Sequence, residues 1–517
     1  MPHAGPLLEE PAPLSDLLNA GLKGRPNDAA LVSMEGVWSW AELERATSRI
    51  AANYLALGLK PGDRVASLMP NRTALFVHYI GCFKAGLVVT PLNYRYMPPE
   101  INHALDVSEA RIILAHNERA ADIAGSKAAS LPLGVMWYGG DGSQKPSFED
   151  LMAAEPKDAS LPPIEAKAPA AIFFTSGSTG PAKGVTHTRE SLACIFASAA
   201  QGFELTPNDI LLPGSSCSHI GGFGFSMSAL LAGARVVVAR SFDHDEIGPL
   251  LRTTRPTLLS MLPTALLHLI REHDMTSADF SSLRLARSGG DKVSAELEKE
   301  YRALTGHTVS EGYGMTEFGL AALNPPIGVD KLGSIGLPSP GFIFSIRNDK
   351  GHELPKEKEG RLWVRTPSQC AGYWSDAEAS AEVVREGWFD TGDVMKVDKD
   401  GYLWFCGRQK QIIVHDGSNI SPQEVEDALL EHPAVELAGV VGVIDEAHGE
   451  SVRAYVELKS GAAQPKAGEL IQFAKARVGY KAPEEIVFLD EMPLNPTGKV
   501  DRAALKKLAA GDHAHHV

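Results

Sequence analysis

The stretch FFTSGSTGPAKG occupies residues 173–184. It joins three glycines, two serines and two threonines to one lysine near its far end. Glycine lets backbone N–H groups turn inward and approach a ligand closely. Such N–H groups, hydroxyls and a lysine cation suit phosphate oxygens. PAAIFF before the glycines (169–174) reads as a buried strand, and SLACIFASAAQGF after them (191–203) as a helix. The segment therefore reads as a phosphate loop between strand and helix. It is not the Walker loop, which needs Gly-Lys-Ser/Thr, because Lys183 follows Ala182 and precedes Gly184. The same composition suits a plain Gly/Ser linker, so the choice rests on the rest of the chain.

The chain has 517 residues, 44% hydrophobic and 22% charged. That is globular and too long for one ordinary core, so two or more domains are expected. No apolar run reaches the roughly 18–20 residues of a membrane span. The opening MPHAGPLLEEPAPL is acidic and proline-rich, unlike a signal peptide. Five scattered cysteines form no CxxC pair, which points to neither zinc nor a disulfide framework and fits a reducing cytoplasm. A net charge of −15 disfavours nucleic acid or an anionic membrane as partner. Phosphates would need a local positive site.

Organisation follows from pattern. Residues 39–68 read as a helix, a Pro61-Gly62 turn and a strand, with Ser39 and Glu42 at capping-box spacing. TALFVHYIGCFKAGLVVTPLN (73–93) repeats the helix-to-strand rhythm, which implies a parallel sheet in an α/β domain. Residues 128–170 read as irregular connection. From Gly333 to Gly401, short apolar runs between Gly, Pro and Asp read as a β-rich subdomain. Beyond Gly407, SPQEVEDALLEHP reads as a capped helix, with Ser421 at the cap, Pro422 first and Glu424 closing the box. Strands 436–444 and 453–459, a helix 468–479, a strand 484–490 and a last helix from Asp501 complete a small α+β unit.

Four further segments matter: EGYGMTE (311–317), WFDTGDV (388–394), GYLWFCGRQKQIIVHDGSNISPQEVE (401–426) and PLNPTGKVDR (493–502). With the opening loop, in this order, the chain closely resembles the adenylate-forming enzymes: acyl-CoA synthetases, adenylation domains of peptide synthetases and firefly luciferase. GLKPGDRVA, GSIGLPSPG, AGYW and YKAPEEIVF agree, and the resemblance runs from about Ser39 to about Leu508. It implies a large N-terminal domain, 1–408, of parallel α/β sheets plus a β-rich subdomain. A small mobile α+β domain, 409–517, would follow a hinge at Lys410.

The resemblance also implies roles. Thr175, Ser176, Gly177, Ser178, Thr179, Gly180 and Lys183 would embrace the β- and γ-phosphates of ATP. Glu317 would reach those phosphates through Mg²⁺, since a bare carboxylate would repel them. Thr316 would donate to the α-phosphate. Gly290, Asp291, Glu311, Gly312, Tyr313, Gly314 and Met315 would line the adenosine, with the Tyr313 ring stacking on adenine. Asp393 would accept the ribose hydroxyls and Arg408 would add a cation. Lys499 would bridge the substrate carboxylate and α-phosphate as charge builds in the transition state. Rotation about Lys410 would then withdraw Lys499 and bring Gly417 to the channel for coenzyme A. Gln411, just after the hinge, stands where many relatives carry an acid, so a salt bridge made by that acid is not implied for this chain.

The acid's pocket would be lined by His219, Gly221, Gly222 and Phe223. Residues 211–234 contain no Asp or Glu, whereas amino-acid-activating relatives place an Asp there, so an amino acid is disfavoured. His219 would orient the acid beside the reacting carboxylate. Asp291 would reach the adenine amino group, and Lys292 or Arg287 is open to a second acidic group on the substrate, with Lys292 in solvent as the alternative. The implied activity is a cytoplasmic, ATP- and Mg²⁺-dependent acid:CoA ligase of fatty acid metabolism or aromatic acid activation, taking a medium-chain or aromatic acid; a homodimer is compatible with it. Two alternatives stay open: a ligase loading the phosphopantetheine of a carrier protein, and a non-catalytic binding protein that keeps the fold.

Overall fold

The structure is a computed structural model. It describes residues 3–140, 145–156, 160–175, 182–240, 244–272, 275–290, 293–325, 331–408, 411, 413–415, 418–445, 449–495 and 498–512. The chain is mixed α/β, with a large N-terminal domain and a small C-terminal one.

The large domain holds three sheets. A seven-stranded sheet runs Arg64–Leu68, Val88–Pro91, Ile112–His116, Val135–Tyr138 and Pro169–Thr175 in parallel, and adds Lys183–Thr188 and Gly372–Tyr373 antiparallel at one edge. A nine-stranded sheet has a parallel centre built from Ala29–Ser33, Ile210–Gly214, Arg235–Val238, Leu258–Met261, Leu285–Gly289 and Ser310–Met315. Helix Thr73–Ala85 is buried at every position. A helix that is apolar all round needs cover on all sides, and the main core joins it to inward residues of both sheets, among them Val89, Phe173, Leu211 and Val236. Ser39 and Glu42 form the expected capping box on helix Trp40–Ala56.

The third sheet is antiparallel and six-stranded. It spans Ile343–Arg347, Gly360–Arg365, Val384–Arg385, Trp388–Val397 and Leu403–Arg408, and its outer edge is covered by the two-residue strand His3–Ala4. The small domain has its own five-stranded sheet. There Glu485–Leu489 pairs in parallel with Gly449–Leu458, and helices Pro422–Leu430, Ala467–Val478 and Arg502–Asp512 accompany it.

Three expectations change. The segment after the opening loop is a strand, Lys183–Thr188, before the helix Arg189–Gly202 begins. Thr175 and Lys183 are a cross-strand pair, so the loop closes a β-hairpin and not a strand-to-helix turn. The physical cause is the run Val185-Thr186-His187-Thr188, in which Val185, Thr186 and Thr188 are β-branched and the first three residues are buried, a pattern that fits a pleated surface. Residues 128–170 are not wholly irregular, because strand Val135–Tyr138 and helix Phe148–Ala153 lie within them. Ser421 is the N-cap of helix Pro422–Leu430, with proline first, but makes no side-chain cap bond. Glu424 instead accepts from Lys481 Nζ at 2.7 Å, an ion pair outcompeting the box.

Candidate active site

The parallel strands Leu285–Gly289 and Ser310–Met315 end side by side, with Gly289 opposite Gly312. Ligands of open α/β sheets gather at such carboxyl ends. Beyond Met315 the chain turns back into Gly319–Leu323, with a register shift at Tyr313/Gly314. A Cβ on Gly314 would lie 2.4 Å from the Gly319 carbonyl oxygen, so only glycine permits this closure. The turn carries Thr316 and Glu317 and is held from two sides. His187 Nε2 donates to the Thr316 carbonyl at 2.8 Å, and the Cys370 N–H donates to the Glu317 carbonyl at 2.7 Å. Burial pushes the His187 imidazole down to about 4, so it is neutral and its Nε2 carries the hydrogen. Glu311 is buried and accepts the Val293 N–H at 3.3 Å; its carboxylate braces the chain beyond Gly290.

Tyr313 reaches the third sheet. Its hydroxyl donates to Asp393 Oδ2 at 2.6 Å, while Arg408 Nε donates to Asp393 Oδ1 at 3.0 Å. Asp393 and Arg408 face each other across one antiparallel pair. The carboxylate has no exposed surface, and burial pushes its pKa up against the pull of Arg408 and the Tyr313 hydroxyl. This is a phenol–carboxylate–guanidinium row with its cation at the open end, suited to hydroxyls and a nearby phosphate.

At the other side of the turn, Tyr373 donates to Glu317 Oε1 at 3.0 Å. The Lys183 ammonium lies 5.1 Å from the centre of the same tyrosine ring and 3.9 Å from Asp376. Burial raises the Glu317 carboxyl above its ordinary range, and the tyrosine hydroxyl opposes that. Mg²⁺ commonly takes one or two carboxylates and completes its shell with phosphate oxygens and water. Among the described residues no group of three or more His, Cys, Asp or Glu could hold a metal. A single buried carboxylate fits an ion that arrives with phosphates.

Lys499 of the small domain reaches this edge. Its Nζ donates to the carbonyl of Gly290, a residue at φ +88°. Its own loop is tied by the Asn495 N–H to the Lys499 carbonyl at 2.7 Å and by the Lys499 N–H to Asn495 Oδ1 at 3.1 Å. His219 precedes helix Ile220–Leu231, and burial, with Lys499 nearby, pushes its imidazole down to about 4. A neutral His219 orients groups without adding charge. The same seating is supported by Lys459, which meets Glu296 at 2.7 Å, and by Arg271, which lies 2.7 Å from Glu296 and 3.8 Å from Glu436.

The expected acyl lining needs one correction. Residues 220–231 are helical, so successive side chains point in different directions. Phe223 is wholly buried among Tyr79, Phe83, Phe173 and Phe196, in the core and not in a pocket. Gly221 is exposed, with nothing within 4 Å of where its Cβ would be. Phe225, one turn on from Gly221, is buried against the Phe203 ring and the Arg287 guanidinium. Gly222 is pressed against the chain, since a Cβ there would meet the Ser216 carbonyl oxygen at 2.5 Å. Phe225, Phe203, Leu205, Leu258 and Arg287 line a small apolar crevice of about 10 Å³.

The structure thus brings together Lys499, Gly290 and His219; Thr316, Glu317 and Lys183; and Tyr313, Asp393 and Arg408. Thr175 ends its strand opposite Lys183, and Gly312, Gly314 and Met315 lie in the strand that carries Tyr313. Ser176, Gly177, Ser178, Thr179, Gly180, Asp291, Lys292, Lys410 and Gly417 lie outside the described residues. Sequence reasoning missed two supporting residues: His187 and Tyr373. Tyr373 sat inside the AGYW segment but carried no separate signal, and His187 was hidden in a strand read as loop and helix.

The model of the AMP-binding enzyme family matches residues 18–374, and that of the AMP-binding enzyme C-terminal domain matches residues 424–499. A feruloyl-CoA synthase of an Amycolatopsis species is 33% identical over 478 residues, covering 91% of this chain and 93% of that protein. A fatty acid–[acyl-carrier-protein] ligase of Streptomyces coeruleorubidus is 33% identical over 502 residues, covering 95% of both. The crystal structure of ATP-bound MatB from Rhodopseudomonas palustris superposes with a TM-score of 0.88 at 30% identity, covering 96% of this chain and 99% of that one. With both family models matched in order over a site of this design, the chain belongs to the AMP-binding enzyme family and stands among its AMP-forming acid–CoA ligases.

Proposed function

We propose that the protein joins a medium-chain fatty or aromatic carboxylic acid to coenzyme A in two steps. A carboxylate oxygen attacks the α-phosphorus of ATP, the bond to the β-phosphate oxygen breaks, and pyrophosphate leaves with that electron pair. The thiolate of coenzyme A then attacks the acyl carbonyl of the adenylate, and AMP leaves. The observation that carries this reading is Lys499 of the small domain, seated on the Gly290 carbonyl beside neutral His219.

In the first step Lys499 would leave that carbonyl for the α-phosphate and the incoming carboxylate, a cation placed where charge develops. Lys183, Thr175 and the loop Ser176–Gly180 would hold the leaving phosphates. Thr316 would meet the α-phosphate, Asp393 and Arg408 the ribose, and the Tyr313 strand the adenine. Glu317 would hold Mg²⁺, which neutralises phosphate charge when bound. His219 and Gly221 would border the acid, with Phe225 beyond. Between the steps the unit 409–517 would turn about Lys410 relative to 1–408, removing Lys499 and presenting Gly417 to the pantetheine arm. A cytoplasmic location and a homodimer complete the reading.

The similarity to a carrier-protein ligase favours a second reading, in which the thiol is a phosphopantetheine arm. One experiment separates the possibilities. The purified protein is given ATP, Mg²⁺ and a panel of acids, with coenzyme A or a carrier protein bearing a free phosphopantetheine thiol as acceptor. AMP and pyrophosphate are the expected nucleotide products. ADP and phosphate would overturn adenylation, and no product with any acid would favour a silent binding protein.

A further inference from the structure

Arg287 is an unusual occupant of this site. It belongs to the strand Leu285–Gly289, which ends at the glycines that border the catalytic edge. Its guanidinium lies 4.3 Å from the centre of the Phe225 ring, on the helix that follows His219. Its Nη1 is 3.5 Å from Ser260 Oγ, at the limit of a hydrogen bond, and its buried Nε has no hydrogen-bond partner among the described residues. Among the described residues no carboxylate pairs with it. Burial lowers its pKa to about 10, which still leaves it charged at neutral pH.

The neighbouring glycines are what make room for it. A Cβ on Gly289 would stand 2.9 Å from Arg287 Nη2, and one on Gly312 would stand 3.3 Å from Nε and Nη2. The strand ends are therefore cut back to glycine where the guanidinium lies. Burying a cation is unfavourable unless it is paired. The Phe225 ring offsets part of that cost, but it leaves the planar donor fork unused. Such a fork fits a carboxylate or sulfonate with two parallel bonds.

We propose that Arg287 determines substrate specificity by receiving a second anionic group, carried on the acid at the end remote from the reacting carboxylate. This rests on the adenylation reading above and narrows its substrate class to acids with an anionic terminus. Phe225 flanks the stem of such an acid, and the guanidinium caps its end.

The test uses pairs with the same carbon skeleton that differ only in a carboxylate against a methyl end: terephthalate against p-toluate, and glutarate against valerate. Pyrophosphate release with ATP and Mg²⁺ is measured for each, alongside calorimetric binding in the presence of a non-hydrolysable ATP analogue. The dianionic member of at least one pair is expected to be preferred by on the order of 10²-fold in kcat/KM, as for a site built around a polar partner. Arg287→Met should abolish that preference and raise turnover of the neutral-ended member, while Arg287→Lys should retain part of it. The wild-type ratio needs no variant to fold. A wild-type preference for the neutral-ended member of every pair overturns the proposal, as does an equal loss for both members in Arg287→Met. Binding of the dianion without pyrophosphate release would support the anion site and sink the adenylation reading instead.

Discussion

Tyr313 and Asp393 belong to strands of different sheets, and a 2.6 Å hydrogen bond from phenol to carboxylate joins them. This bond fixes the nine-stranded sheet against the antiparallel one at the nucleotide side of the site. Tyr313→Phe keeps the ring and removes the donor to a charged acceptor. The ATP Michaelis constant is expected to rise about 10-fold, in line with a charge-assisted bond. Losing a donor to the ionised form raises the Asp393 pKa further, so the acid limb of kcat/KM for ATP should move to higher pH. A pH profile of pyrophosphate release on both proteins checks this, and an unmoved limb would separate Tyr313 from the titration.

Lys499→Ala tests the placement on Gly290. Adenylate formation should slow by about 10²–10³-fold, the effect of losing one preorganised electrostatic group. Given pre-made acyl-adenylate and coenzyme A, the variant should still form thioester at a near-normal rate. Single-turnover assays of each half-reaction read the difference. Equal losses in both would contradict a role confined to the first.

Tyr373→Phe removes the hydroxyl that supports Glu317. The carboxyl, already raised by burial, should rise further and hold a cation less well. The Mg²⁺ concentration for half-maximal rate is expected to increase about 3- to 10-fold, and a chelator should stop pyrophosphate release in both proteins. A magnesium titration at saturating ATP decides it.

Acid should destabilise the large domain through two buried histidines. Unfolded, His78 and His187 take up protons as pH falls below the ordinary 6.5, whereas folded they stay neutral to about 3 and about 4. Across that window the unfolded chain binds more protons, so stability rises with pH and is lost as pH drops from 6.5 towards 4. His187→Gln keeps a donor for Thr316 and should flatten the slope by up to ~1.4 kcal/mol per pH unit. Urea midpoints at several pH values compare the two proteins; parallel slopes would show that His187 does not contribute.

Glu296 bridges Lys459 of the small domain and Arg271 of the large one. Glu296→Ala should weaken the seating of Lys499 and slow adenylate formation by about 2- to 5-fold, the range of part-exposed ion pairs. Thioester formation from pre-made adenylate should be unaffected. Added salt should reproduce the effect in the wild type and do little more in the variant.

Much of this architecture is visible in one dimension. Period and punctuation mark helices Trp40–Ala56 and Thr73–Ala85, because burial on a 3.6-residue or all-round pattern is written in the residue types themselves. The site residues were legible through five spaced motifs, each built from residue types with few other uses in that combination. What escaped is what three-dimensional neighbours decide. Phe223 and Phe225 look alike in sequence, and only the helical twist sends one among Tyr79, Phe83 and Phe173 and the other against Phe203 and Arg287. His187 was misplaced because Val185, Thr186 and Thr188 form a strand only once Phe173 and its neighbours pair with them. Ser421 has the right spacing for its box, yet Lys481, distant in sequence, takes Glu424.

The two-residue strand His3–Ala4 lies against Phe344 and Ile343. On the ribosome the short strand emerges long before its partner, and at about 5–20 residues per second the wait is on the order of tens of seconds. Until then the partner edge does not exist, and once it exists it stays open to other chains until the first residues return to it. An uncovered edge is a template for pairing between molecules. A bulky fusion ahead of His3, or its deletion, should therefore show itself in the yield of soluble protein and leave the turnover of the molecules that do fold unchanged.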